Sequence, residues 1–305
     1  MASSDISAGG ARDLRATGEL VVTLVLFGSS FPAFKLATEG FGVGTVAAVR
    51  FALATATLLA IGRGLPALDP GMWRRLLLIG AVGLGGQAVA MTAGIDAGSS
   101  TLGALVLGLE PIGVAVAAVL VARERPTPAT LAGLALGLAG VAVVSGLLTS
   151  GVSGAGRPVA FLLLTVVLFA AYTVSVRREA GRLDPGAVAV ATSIGASFLA
   201  VPLIALDAAR GQVVQGDLRA SAVAAVVYIG LGTGIAYLLF AHVLSRLPAS
   251  RFAVAMYAVP TLGVLGSWAV LGERPIARDV VGGAMILVAV WVAERRRGGR
   301  DVAAT

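Results

Sequence analysis

The sequence has no cysteine, a single histidine (His242) and a single lysine (Lys35), and only 13% of its 305 residues are charged. Without cysteine there is no disulfide, no thiolate metal site and no cysteine nucleophile. One imidazole is too few for a histidine-rich metal site, so neither a metal nor a cofactor is expected. Acidic and basic residues together reach about half the share of an average soluble domain. What the chain has instead is apolar surface and glycine: 57% hydrophobic residues and 41 Gly. Counting Gly and leaving out Tyr, the apolar share is roughly 69%, against roughly 45–50% in soluble domains. An ordinary soluble enzyme, a disordered chain and a disulfide scaffold are thereby excluded. The composition is that of a polytopic membrane protein.

The net charge of +7 and pI near 10.9 invite a nucleic-acid reading. Such proteins gather Lys and Arg on one face beside stacking aromatics. Here the basic residues fall between apolar runs, as membrane anchors do, so no nucleic-acid partner is expected.

A helix crossing the hydrocarbon layer needs about 20 mainly apolar residues. Runs of that kind lie at 19–37, 44–61, 76–95, 99–121, 129–148, 158–176, 186–206, 220–244, 250–271 and 277–294. The expected fold is therefore all-α, with ten transmembrane helices and short connections. Residues 1–18 read as a flexible cytoplasmic N-terminus without a cleavable signal pattern, and 295–305 as a basic cytoplasmic tail. Counting Lys and Arg in alternate loops gives 16 on the side of the termini and 6 on the other, with Arg50 inside the second span. The positive-inside rule then places both termini in the cytoplasm of a multi-pass inner-membrane protein.

The two halves repeat each other. Glu124-Arg125-Pro126 recurs as Glu273-Arg274-Pro275 at an offset of 149, and at that offset Pro111 meets Pro260, Gly133 meets Gly282, Gly83 meets Gly232 and Gly85 meets Gly234. Nearer the start of each half, Leu26-Phe27 meets Leu168-Phe169 and Lys35 meets Arg177 at an offset of 142. Glycine-rich helices align by composition alone, but a tripeptide within a collinear series does not. Two units of five spans, 19–148 and 158–294, are expected. Because five is odd, the second must be inserted upside down, an architecture recurrent in secondary transporters.

With Phe27-Gly28-Ser29-Ser30-Phe31-Pro32, Arg50-Phe51, Glu110-Pro111, Pro260 and the loops Arg123-Glu124-Arg125 and Gly272-Glu273-Arg274, the chain resembles the drug/metabolite transporter superfamily, in its ten-span EamA-type branch. The resemblance covers residues 19–294. Two departures are Phe27, where that family often has Trp, and Arg123 before Glu124, where Gly-Glu is commoner. It implies movement of a small metabolite, amino-acid-like or amphipathic and drug-like, by alternating access and most often as export. Phosphorylated substrates would call for more basic residues inside the bundle. Protons are the candidate coupling ion, uncoupled transport stays open, and a monomer or weak homodimer among membrane lipids is expected.

An ionisable group within the hydrocarbon layer is a functional candidate by default. Glu110 is the only acidic residue at mid-span, about 16 Å along its helix, and precedes Pro111, whose ring frees a backbone carbonyl. It is expected either to bind a substrate amine or to carry the coupling proton; the bland alternative is a tolerated, hydrogen-bonded acid. Arg50, about 9 Å into its span, is expected to snorkel outward or to pack or gate, with Pro111 and Pro260 as the other gating or packing positions. Gln87, Ser29 and Ser30 are uncharged groups that fit a cavity lining. Among the mid-span tyrosines, Tyr172 and Tyr257 are favoured as cavity residues over Tyr237. His242 is read as packed or solvated, and the glycine runs 83–86 and 230–234 as close-packing surfaces, since they lack the strand and Lys of a phosphate loop.

The rival class, an intramembrane enzyme, requires paired carboxylates, a nucleophile with a base, or a metal set. One mid-membrane carboxylate and one histidine do not supply them. A passive assembly factor would have no need of the duplication.

Overall fold

The computed structural model describes residues 2–62, 64–121, 125–180, 183–215, 218–246 and 255–294, with side chains described outside 2–16, 150–154, 180, 240–242, 244–246 and 294. Among these residues the architecture is helical: α1 (Ala2–Gly40), α2 (Val43–Gly62), α3 (Pro70–Ile79), α4 (Gly86–Ala97), α5 (Ser100–Leu107), α6 (Glu110–Val121), α7 (Pro128–Val144), α8 (Leu147–Ala180), α9 (Pro185–Ala209), α10 (Ala220–Arg246), α11 (Ala258–Leu271) and α12 (Ala277–Glu294). A π-helical stretch, Gly80–Gly85, joins α3 to α4. Helix α1 starts at Ala2, within the segment expected to be flexible. The expected basic tail, residue Glu124 of the repeated tripeptide and the His242 side chain lie outside the described residues.

Helix starts follow local chemistry. Asp69, Thr127 and Asp184 each cap a helix through the side chain, and each is followed by a proline in the first turn. The cap satisfies a free N–H, and proline has none to leave unsatisfied.

Among the described residues, seven helical stretches are long and apolar enough to cross a membrane: 17–40, 43–62, 70–97, 100–121, 155–179, 185–209 and 220–239. The protein is a multi-pass membrane protein. Of the other three expected spans, α7 and α11 have 17 and 14 residues, about 26 and 21 Å of helix, short of the roughly 30 Å hydrocarbon layer. Helix α12 has 18 residues and carries Arg278 and Asp279 in its first turn.

The helices pack in matched pairs. Helix α1 lies on α10 and α11, as α8 lies on α4 and α6; α10 packs on α2 as the π-helical stretch packs on α9; and α2 meets α9, α5 meets α11 and α7 meets α12. The last pair is glycine-mediated on both sides. A methyl group on Gly133 would stand 2.7 Å from the Ala289 carbonyl, and one on Gly140 2.9 Å from that of Gly282. At the offset of 149, Gly133 corresponds to Gly282 and Gly140 to Ala289, so the two close approaches are counterparts. Small residues here let the backbones approach, as membrane helices require in the absence of a hydrophobic drive between them. The glycines of residues 80–85 act likewise, with Gly83 against Tyr172 and Gly85 against Ala196.

The loop ends farthest from the termini are pinned to one another. The Gly42 N–H donates to the Gln212 carbonyl, and buried Asp207 accepts from the N–H and hydroxyl of Thr45 at 2.7 and 2.9 Å. The Glu273 carboxylate accepts from the Ser100 and Thr101 N–H groups at 3.1 and 2.8 Å. Lys35 Nζ donates to the carbonyls of Ile95, Asp96 and Gly98.

Candidate functional site

The fourth span is broken. Helix α5 ends at Leu107, Gly108 and Leu109 close tight turns onto Leu105 and Val106, and α6 restarts at Glu110. Pro111 explains the restart, because it cannot donate to the preceding turn but fits the first turn of a new helix. Glu110 is thereby the N-terminal residue of α6, half-buried, with its carboxylate where the helix dipole favours negative charge. The ninth span behaves in parallel: residue 257 is a turn and α11 begins at Ala258, two residues before buried Pro260. The paired prolines at offset 149 mark paired breaks.

Of the readings open for Arg50, the outward snorkel is the one the structure does not have: only 7% of the residue is exposed. Its Nε donates to Thr233 Oγ1 at 3.0 Å, and its guanidinium carbon lies 4.9 Å from the Phe34 ring centre and 5.1 Å from that of Phe51. Aromatic faces attract a cation more strongly once water is removed. That enclosure holds the side chain inside the bundle, where sequence depth alone suggested an escape to the surface. Nη1 is buried without a hydrogen-bond partner.

Arg50, Glu110 and Tyr237 lie close enough to interact electrostatically, and Tyr237 also senses Tyr172. No ion pair or hydrogen bond joins Arg50 to Glu110 among the described residues. Tyr237, passed over in favour of its neighbours, thus belongs to this group; its ring meets Phe27 edge-on at 6.3 Å. Three mid-span tyrosines look alike in sequence, and the helix packing that separates them is a tertiary fact. Tyr172 packs against Gly83, and its hydroxyl is 3.3 Å from Thr192 Oγ1. Tyr257 packs on the main apolar core beside the break in the ninth span.

Beside Arg50 a cavity of about 20 Å³ is lined by Ser30, Arg50, Tyr228 and Thr233, with Leu26, Phe27 and Gly232. Ser30 Oγ donates to the Phe27 carbonyl at 2.6 Å, and Ser29 Oγ lies 2.5 Å from Tyr228 Oη, linking α1 to α10. Gln87 is buried in α4, and its Oε1 has no hydrogen-bond partner. The structure therefore brings Ser30 beside Arg50, ties Ser29 to Tyr228 in the same cavity wall and packs Tyr172 with Tyr237 on one core cluster, with Glu110 within electrostatic range of Arg50. A larger cavity, about 390 Å³, lies apart from them among the pinned loop ends, beside Glu273, Arg274, Arg278 and Asp279. The Glu273 carboxylate there is engaged in holding the start of α5, so the inner polar group is the stronger site.

Helices interrupted near Pro111 and Pro260 thus lie in a bundle that buries Arg50 and Gln87. The profile of the EamA-like transporter family matches residues 18–146 and 156–294. The chain belongs to that family. It is similar to an uncharacterized transporter of Archaeoglobus fulgidus, 25% identical over 285 residues, covering 91% of this chain and 98% of the relative. It is also similar to a probable terminal-alkyne amino-acid exporter of Streptantibioticus cattleyicolor, 26% identical over 295 residues, covering 94% and 95%. A solved crystal structure shares the fold at a TM-score of 0.63 and 23% identity, covering 92% of this chain and 96% of the other.

Proposed function

We propose that this chain is a secondary transporter that exports a small amino-acid-like metabolite across the inner membrane by alternating access. In this reading the ten spans form two inverted five-helix repeats, residues 19–148 and 158–294, with both termini cytoplasmic. The observation that carries it is the pair of broken spans at Pro111 and Pro260, with Glu110 at the break. Broken helices near the midplane are where inverted-repeat transporters hold their substrates, because helix ends there expose unpaired backbone groups and dipole charge. The matched helix contacts support the repeat, as do the two stretches of family match. The three shorter helices join the span count if neighbouring helices cover their ends.

The substrate class rests on the inner polar group and on the relative named as an amino-acid exporter. One buried cation and one half-buried acid suit a small zwitterion, and phosphorylated solutes would need more positive charge. Glu110 either meets the substrate ammonium or carries the coupling proton. The test is counterflow in reconstituted vesicles with a panel of labelled neutral amino acids that includes a terminal-alkyne one. Exchange of at least one member above empty vesicles is expected, and none across the panel removes this substrate class.

A further inference from the structure

Arg50 is held in a way the architecture does not require. At the offset of 142 its counterpart in the second half is Thr192, and those of Phe34 and Phe51 are Val176 and Ser193. Thr192 is fully buried and satisfied locally, its hydroxyl donating to the Val188 carbonyl at 2.8 Å. The same fold position is thus filled in one half by a small, self-satisfied hydroxyl and in the other by a guanidinium between two aromatic rings. Burying a cation with no carboxylate bonded to it is costly and persists where function retains it.

The donors are apportioned. Nε is engaged by Thr233, the ring faces hold the guanidinium carbon, and buried Nη1 has no acceptor. A small cavity with the Ser30 and Tyr228 side chains in its wall adjoins Arg50. Its size, about 20 Å³, holds one oxygen atom or one water. A guanidinium fork held in one orientation matches a carboxylate, to which it donates strong charge-assisted bonds.

We propose that Arg50 is the carboxylate anchor of the substrate site, oriented by Thr233 and by the rings of Phe34 and Phe51. The assignment rests on the proposed transport of amino-acid-like solutes and adds which end of the solute this residue takes. The carboxylate meets Arg50, and the remainder of the molecule extends toward Glu110.

The test uses the full-length protein purified in detergent and reconstituted in vesicles. Three probes share an isobutyl tail: L-leucine, isovalerate (a carboxylate and no amine) and isopentylamine (an amine and no carboxylate). Melting temperatures are measured with each, and each competes against counterflow of the transported neutral amino acid. L-leucine and isovalerate are expected to stabilise the wild type and to compete, and isopentylamine to do so at least about tenfold less well. Arg50→Gln should abolish the isovalerate effect, and Arg50→Lys should restore part of it. If Arg50→Gln does not fold, Thr233→Val releases Nε alone and should weaken isovalerate competition while the protein still melts cooperatively. Equal competition by isopentylamine and isovalerate in a transporting wild type overturns the anchor and leaves the transport reading standing. Isovalerate stabilisation lost in Arg50→Gln, with no amino acid exchanged, keeps the anchor and overturns the amino-acid reading. Without any isovalerate effect on the wild type, the anchor falls.

Discussion

Glu110 and Arg50 show how differently two ionisable residues can be read. The position of Glu110, at mid-span before a proline, implied both a helix break and a carboxyl at that break, because proline acts on its own backbone. The structure has both. The surroundings of Arg50 depend on Phe34 and Thr233, which are 16 residues before it and 183 after it in the chain, so its depth in the span misled. Glu110→Gln separates the two roles open to the acid. The change keeps size and hydrogen bonding but removes titration. If Glu110 carries the coupling proton, the variant is expected to lose gradient-driven accumulation while retaining counterflow. If Glu110 meets the substrate ammonium, both activities should fall together, by about tenfold or more for a lost charge-assisted bond. Wild-type behaviour in both assays across pH 5.5–8 would make it a structural residue only.

At the seam of α7 and α12 the elements meet through backbone contact, beside a core built of large side chains such as Phe34, Ile112 and Leu162. The glycine runs 83–86 and 230–234 announce close packing in the sequence, whereas the π-helical stretch at Gly80–Gly85 has no signature there. A single inserted residue in a helix leaves no mark in an all-apolar run, and such bulges are recognised only by their hydrogen bonds. The short length of α7 is hidden in the sequence for a related reason: Leu147 and Leu148, beyond its end, carry the hydrophobic run on into the start of α8. The seam of α7 and α12 gives a direct test. Gly140→Ala places a methyl group against the Gly282 carbonyl and the Ile286 side chain, both 2.9 Å away, and backbone cannot yield as a side-chain tip can. Its cost should be about 1–3 kcal/mol, as for overpacked cores, read as a lower melting temperature in detergent. Gly62→Ala, with nothing within 4 Å of the added methyl, is the control and should be neutral or slightly stabilising. Equal melting temperatures for the two variants would mean that the seam is loose and that the paired glycines do not hold the halves together.

For the whole molecule, the pinned loop ends bear on the cycle. Ser100 opens α5 and Ser267 lies near the end of α11, so the pair links the fourth and ninth spans; both are fully buried, with their hydroxyls 2.6 Å apart. Glu273 reinforces the same closure by capping α5. If the protein alternates, this end must part to release substrate outside, and the buried serines must become reachable from there. The absence of native cysteine makes that measurable without background. Hydroxyls this close are compatible with a disulfide, whose two sulfurs bond at about 2.05 Å. Ser100→Cys combined with Ser267→Cys should cross-link on mild oxidation, block counterflow, and recover it on reduction. In intact cells the Ser100→Cys single variant should react with a membrane-impermeant maleimide added outside, and faster while substrate is being exported. Undiminished transport by the fully cross-linked protein would show that this end does not open. Reaction only from the cytoplasmic side would reverse the orientation derived from the loop charges.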